Sequence, residues 1–193
     1  MIEYNDCVTV YCASATAIDK RFFDDAQEVA RLLSKKNVPV ITGAGKMGLM
    51  GAVNDEVIAT GGVTVGVIPQ FMVDKGWHHT GLTHLEITPD MHTRKELMAK
   101  HAQGVIALPG GCGTFEELLE IITWRQLGLY HGHIVILNTM GYYDNMLAML
   151  DKAIECRFMP EDHRKLWAVA ATPSEAVALT LEKSEEISLS PKF

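Results

Sequence analysis

Gly104-Val105-Ile106-Ala107-Leu108-Pro109-Gly110-Gly111-Cys112-Gly113-Thr114-Phe115-Glu116-Glu117 is the stretch on which the fold turns. A short apolar run ends in a proline and three glycines, and a long helical pattern follows. That order reads as a buried strand, a tight turn and the amino terminus of a helix. Three glycines and a threonine there can aim several free N–H groups and one hydroxyl at an anion, and the helix dipole favours negative charge at the same place.

The same grammar repeats outward from this stretch. Apolar, β-branched runs predict strands over 8–13, 38–42, 63–68, 82–88, 104–108, 134–138 and 167–171. Amphipathic segments predict helices over 20–36, 49–60, 91–101, 114–127, 145–156 and 174–184. Near-continuous apolar strands alternating with helices imply a mostly parallel sheet covered on both faces. The expectation is a single Rossmann-like α/β domain spanning 1–193, with ligands gathered at the carboxyl ends of the strands. There is no internal repeat or linker, and the tail from about Glu185 is expected to fray.

The totals bound the partners. The chain has 193 residues and a mass of 21.3 kDa, with 48% apolar and 21% charged residues. That is one globular domain with a full core. A formal net charge of -7 offers no broad basic surface for a nucleic acid, though a phosphate-bearing small ligand needs only a local pocket of donors. The first residues carry early acids and no basic, apolar signal pattern, and no run approaches a membrane span of about 20 residues. Cys7, Cys12, Cys112 and Cys156 show no CxxC spacing, which fits a reduced cytoplasmic setting.

A second glycine loop, Gly43-Ala44-Gly45-Lys46-Met47-Gly48, follows the run 38–42 and opens a helix. Formally it is GxGxxG. No acid stands about 20 residues further on to hold a ribose hydroxyl, and Met47 rather than Ser or Thr follows Lys46, so neither a dinucleotide fingerprint nor a Walker A loop is complete. It reads either as part of a nucleotide site, with Gly43 and Gly45 against the ligand, or as a tight strand-to-helix turn.

Thr114-Phe115-Glu116-Glu117 places two carboxylates beside a loop that should attract anions. A capping box from Thr114 to Glu117 would explain one of them. An acid wanted beside a ribose or a developing cation would explain both. Glu120 and Thr123 keep the same helix face polar, which favours a site. Upstream, Met91-His92-Thr93-Arg94-Lys95 sets two cations near a helix start, where the dipole does not call for them. An arginine fork and a lysine point charge there suit a phosphorylated substrate, or else a solvated helix face.

Taken together, Gly45-Lys46-Met47-Gly48-Leu49-Met50-Gly51, the MHxRK segment 91–95 and the PGGxGTxEE segment 109–117 resemble the LONELY GUY proteins. These are cytokinin riboside 5′-monophosphate phosphoribohydrolases, long mislabelled lysine decarboxylases. The resemblance spans about residues 8–159. It implies a Rossmann-like fold and a homodimer with sites near the subunit interface. It implies hydrolysis of AMP or an N6-modified adenine nucleotide to free base and ribose 5-phosphate, without metal or organic cofactor. By motif position the catalytic pair falls on Arg94 and Glu117. The nucleotide-binding set falls on Lys95, Gly111, Cys112, Gly113, Thr114, Phe115, Glu116 and Thr123, to which the loop amides add Gly110. Two departures bear on base preference. Cys112 stands where the plant enzymes commonly carry Tyr, and no acid before the MHxRK segment matches the family's, Glu86 being a poor positional fit.

Other readings give different expectations. A pyridoxal-phosphate decarboxylase would need Lys46 or Lys95 as its Schiff-base lysine. A non-catalytic nucleotide or pterin-cofactor carrier would keep the glycine loops without needing Glu117 beside Arg94. His78, His79, His84, His92, His131 and His133 match no zinc spacing. Trp77, His78 and His79 read as a lid over the base or as an ordinary loop, and Trp124 and Leu127 as packing or a dimer seam.

Overall fold

A computed structural model of the chain describes residues 6–183; the tail expected to fray lies outside the described residues. Seven parallel strands form one sheet in the order β4-β3-β2-β1-β5-β6-β7. They are β1 (Cys7–Tyr11), β2 (Val40–Thr42), β3 (Thr64–Pro69), β4 (His84–Thr88), β5 (Ala102–Ala107), β6 (His133–Leu137) and β7 (Ala168–Ala170). The connecting helices are α1 (Lys20–Lys35), α2 (Gly48–Ala59), α3 (Gln70–Asp74), α4 (Met91–Lys100), α5 (Cys112–Gln126), α6 (Asp144–Glu155) and α7 (Pro173–Thr180). All seven expected strands and six expected helices are present, with ends shifted by a few residues. The five-residue α3 is too short to show helical periodicity in the sequence.

Strict alternation along the strands builds two cores. Val8, Val10, Ile106, Leu108, Val135 and Leu137 point to one face and meet α1, α2 and α7. Cys7, Tyr11, Val105, Ala107, Ile134 and Ile136 point to the other and meet α4 and α5. A period of two with apolar residues at both phases can only be satisfied by a sheet covered on both sides.

The winding reverses between β1 and β5. Loops leaving those two strands therefore diverge, and a crevice opens at their carboxyl ends. The Ala13 N–H donates to the Pro109 carbonyl across it (3.1 Å). On the β2 side, Gly48 opens α2 with φ of 63°, and a Cβ there would fall 2.4 Å from the Ser14 backbone. Only glycine lets α2 approach the loop after β1 that closely. Buried Thr42 donates its hydroxyl to Asn54 Oδ1 (2.9 Å) and Asn54 donates to the Gly45 carbonyl (3.3 Å), which fixes the loop between β2 and α2.

Candidate active site at the β1–β5 crevice

Arg94 leaves the fourth position of α4, whose start is capped by Asp90 accepting from the Thr93 N–H (2.8 Å). The side chain runs under the end of β3, where Nε donates to the Val67 carbonyl (3.1 Å). It ends at α5, where Nη1 donates to Glu117 Oε1 (2.6 Å). Arg94 is 6% exposed and Glu117 8%. A Cβ on Gly43 would sit 2.0 Å from Arg94 Nη2. The glycine that the sequence offered as ligand-binding thus also makes room for the guanidinium. Gly45 spends its N–H on the Met50 sulfur (2.9 Å).

Burial raises the pKa of the Glu117 carboxyl above its ordinary value, with the Arg94 charge and hydrogen bond opposing. The same burial, with the Glu117 charge adding, pushes up the neighbouring Tyr11 hydroxyl and Cys12 thiol at the end of β1. The pair is therefore buried beside the end of β1.

The capping box is overturned. Helix α5 starts at Cys112 with Gly111 as its cap, two residues earlier than the pattern suggested. Glu117 is consequently the sixth helical residue, too deep to reach back to the first turn, and it bonds Arg94 instead of the Thr114 N–H. No acid occupies the first turn of α5. Glycine and cysteine are poor helix formers, but the first turn tolerates them because its N–H groups lack intrahelical partners anyway.

Those N–H groups face a loop whose carbonyls are all engaged. Tyr143 donates its hydroxyl to the Leu108 carbonyl (2.7 Å), Ala13 its N–H to Pro109, and Tyr142 its hydroxyl to Gly110, while the Phe115 N–H takes Gly111 (3.0 Å). With four successive oxygens held back, what the loop presents is donors. Tyr142 and Tyr143 come from the turn after β6, where the Tyr143 N–H donates to Asn138 Oδ1 (2.7 Å). Their rings meet edge to face at 5.1 Å, and Phe22 and Phe115 buttress them. Sequence reading missed both tyrosines. The Gly141-Tyr142-Tyr143 run carries no spacing signal that ties it to a loop 32 to 35 residues away.

Lys95 is buried, and its ammonium bridges Glu116 (2.8 Å) and Glu120 (3.1 Å). Burial pulls its pKa down, but the two carboxylates outweigh this and leave it raised. The Lys95 bond in turn lowers Glu116. An ammonium held this way is a poor Schiff-base nucleophile, and Lys46 Nζ is bonded to the Gly76 carbonyl (2.6 Å). Thr123 lies exposed two turns on, its hydroxyl returned to the Leu119 carbonyl (2.8 Å). Cys112 is exposed at the mouth of the loop.

The segment with Trp77, His78 and His79 is tied to the first glycine loop. Lys46 N–H donates to the Trp77 carbonyl (3.2 Å) and His79 N–H to Ala44 (2.8 Å). His79 Nδ1 accepts from Gly81 N–H (3.0 Å), so Nε2 carries the proton that faces Asp55 (2.9 Å). Among the described residues no group of three His, Cys, Asp or Glu side chains could hold a metal ion. Trp124 is half-buried against the α4–α5 core, whereas Leu127 is exposed.

Residues 50–180 match a family model described as "possible lysine decarboxylase". The cytokinin riboside 5′-monophosphate phosphoribohydrolase LOG5 of Arabidopsis thaliana is 39% identical over 172 residues, 88% of this chain and 75% of that protein. LOG4 of Arabidopsis thaliana, of the same name, is 37% identical over 181 residues, 94% of this chain and 82% of that one. Among solved structures, the molybdenum cofactor binding protein of Rippkaea orientalis superposes with a TM-score of 0.68 at 15% identity, covering 91% of this chain and 95% of that one. The Moco carrier protein of Chlamydomonas reinhardtii gives 0.67 at 19%, covering 90% and 94%. At such identities those two show the fold alone. The sequence relatives, matched along most of both chains, say more: this chain belongs to the LONELY GUY family, that of the cytokinin riboside 5′-monophosphate phosphoribohydrolases.

Proposed function

We propose that the chain hydrolyses the N-glycosidic bond of a nucleoside 5′-monophosphate, AMP or an N6-modified adenine nucleotide, giving free base and ribose 5-phosphate. The observation that carries the reading is the buried 2.6 Å contact of Arg94 with Glu117 beside a donor-only glycine loop. The relatives' names supply the reaction class. Amides of Gly110, Gly111, Cys112, Gly113 and Thr114 take the 5′-phosphate. This holds C1′ over Glu117, whose second oxygen stays available after Oε1 has met Arg94. As the C1′–N bond breaks, its electron pair leaves with the base and positive charge grows on the sugar, which the carboxylate stabilises. Water then adds its oxygen to C1′, and a proton goes to the base nitrogen. Arg94 keeps Glu117 in place and ionised, and helps hold the substrate. Glu116 and Lys95 face the ribose, Thr123 lies further along the same face, and Gly43 and Gly45 line the opposite wall. Phosphate binding energy is thereby used at a bond several atoms away.

The enzyme acts on free nucleotides and not on nucleic acid, given a net charge of -7. Four free cysteines suit a cytoplasmic setting. Glu116, Leu119, Glu120 and Thr123 share one face of α5 and Leu127 follows its last turn, with Leu119 and Leu127 exposed. We read this as the contact of a homodimer.

Glu117→Gln keeps the size of the side chain but not its charge. It is expected to lower release of adenine from AMP by roughly 10²–10³-fold. Arg94→Lys keeps the charge but cannot reach both Val67 and Glu117, and should also lose most turnover. Wild-type rates in either variant would remove that residue from the mechanism, and tight AMP binding without release by the parent protein would favour a carrier.

Because the reaction needs ionised Glu117 and burial raises its pKa above the ordinary 4.5, kcat is present above the folded pKa and lost as pH falls through it. The acid limb of kcat should therefore have its midpoint above 4.5; a midpoint at or below that value contradicts the role.

Tyr142→Phe deletes only the hydroxyl that holds the Gly110 carbonyl back. One hydrogen bond of this kind corresponds to roughly a three- to tenfold change. It should appear as a higher KM for AMP with kcat nearly unchanged. An unaltered KM would show that the loop keeps its shape unaided.

Leu119→Glu together with Leu127→Glu is expected to convert a dimer to a monomer in sedimentation. A parent protein that already sediments as a monomer would refute the interface.

A further inference from the structure

The amino-terminal end of the sheet carries a concentration of positive charge. A cavity of about 410 Å³ opens between the end of α5, the starts of β6 and β7, and the residues after α7. Its walls include Arg125, His133, Lys165, Trp167, Glu182 and Lys183. Substrate loops follow the carboxyl ends of the strands, and this cavity lies at their amino ends, beyond two turns of α5 from Glu117.

Arg125 is the anomaly. It is 8% exposed, as deeply placed as Arg94 and Lys95, yet those two are ion-paired and Arg125 makes no ion pair among the described residues. Its one hydrogen bond among the described residues runs from Nη1 to the Leu166 carbonyl (2.9 Å). Burial lowers its pKa, although a guanidinium stays charged in any protein. The carboxyl end of α5, with roughly half a negative charge, offsets part of this. It does not account for Lys165 and Lys183, which line the same cavity and make no ion pair among the described residues, nor for a charged group where a neutral donor could serve Leu166. Against three cations stands one carboxylate, Glu182, which is exposed and makes no ion pair among the described residues. A local excess of this sign in a chain of net charge -7 calls for a mobile counter-charge.

We propose that this cavity binds a small multivalent oxyanion of the phosphate class, separately from the glycosidic site. Arg125 supplies the fork, Lys165 and Lys183 supply point charges from the rim, and Trp167 forms an apolar wall. The site does not depend on the reaction assigned above, and either can fail without the other.

Titration of the full chain with inorganic phosphate, followed by backbone-amide NMR, tests it. Two sets of amides should shift: those of residues 110–114, and those around Arg125, Ile134 and Ala168. Lys165→Gln with Lys183→Gln changes exposed side chains only, and should weaken the second set by about tenfold or more while leaving the first unchanged. Arg125→Gln should do the same, with its Tm recorded to register the loss of the Leu166 contact. If Arg125→Gln does not fold, the lysine double variant decides. Shifts confined to residues 110–114, or an unchanged second affinity in the lysine variant, would overturn the proposal.

Discussion

Arg94 and Glu117 are two opposite charges held out of water, 23 residues apart in the chain, and much of the molecule is arranged to keep them together. Neither tolerates burial alone. Removing one partner of such a pair typically costs about 3–5 kcal/mol, whereas replacing both by well-packed apolar side chains is often neutral or stabilising. The pair is thus a poor investment in stability, and its retention directs attention to chemistry. Its geometric demands spread widely. The Val67 carbonyl must end β3 where Nε can reach it, Gly43 must lack a Cβ, and α4 and α5 must lie side by side on the same face of the sheet.

Beside this pair the loop after β5 solves the converse problem. A peptide group has both a donor and an acceptor, so a bare glycine loop offers an anion repulsion as well as attraction. Here the acceptors are taken by Tyr143, Ala13, Tyr142 and the helix itself, which leaves the donors of the loop for an anion. The winding reversal supplies the space, and the aromatic turn after β6 supplies the rigidity. A preformed cup of this kind needs no reorganisation when a phosphate arrives.

The architecture was largely legible from the chain. Apolar runs with β-branched residues, punctuated by Gly and Pro, marked all seven strands, because a two-face sheet leaves a period that few other structures share. The site was legible only in pieces. Thr114-x-x-Glu117 fitted a local capping rule, and the rule failed because the helix begins at Cys112 and a distant guanidinium outcompetes a local N–H for the carboxylate. Asp90 as the cap of α4 was there to be read from its position three residues before Thr93. The tyrosine pair was not, since its meaning depends on a contact between the turn after β6 and the loop after β5 that no periodicity encodes. Lys95 looked like a free point charge for substrate; the fold gives it two carboxylates.

That last difference changes how an anion can be held here. The cations nearest the crevice, Arg94 and Lys95, are already matched by Glu117, Glu116 and Glu120, so this set of side chains carries a slight negative excess. A phosphate cannot be drawn in by spare basic charge. Under the proposed reaction it is held by the oriented amides and the dipole of α5, which act over a few ångströms and fade within a turn. Short-range binding of this type fixes position more than it adds affinity, and position is what a carboxylate beside C1′ needs. Negative groups beyond the first phosphate would meet Glu116 and Glu120 rather than further donors. The electrostatics of the site therefore suit a monophosphate better than a di- or triphosphate, on grounds independent of the names borne by the relatives.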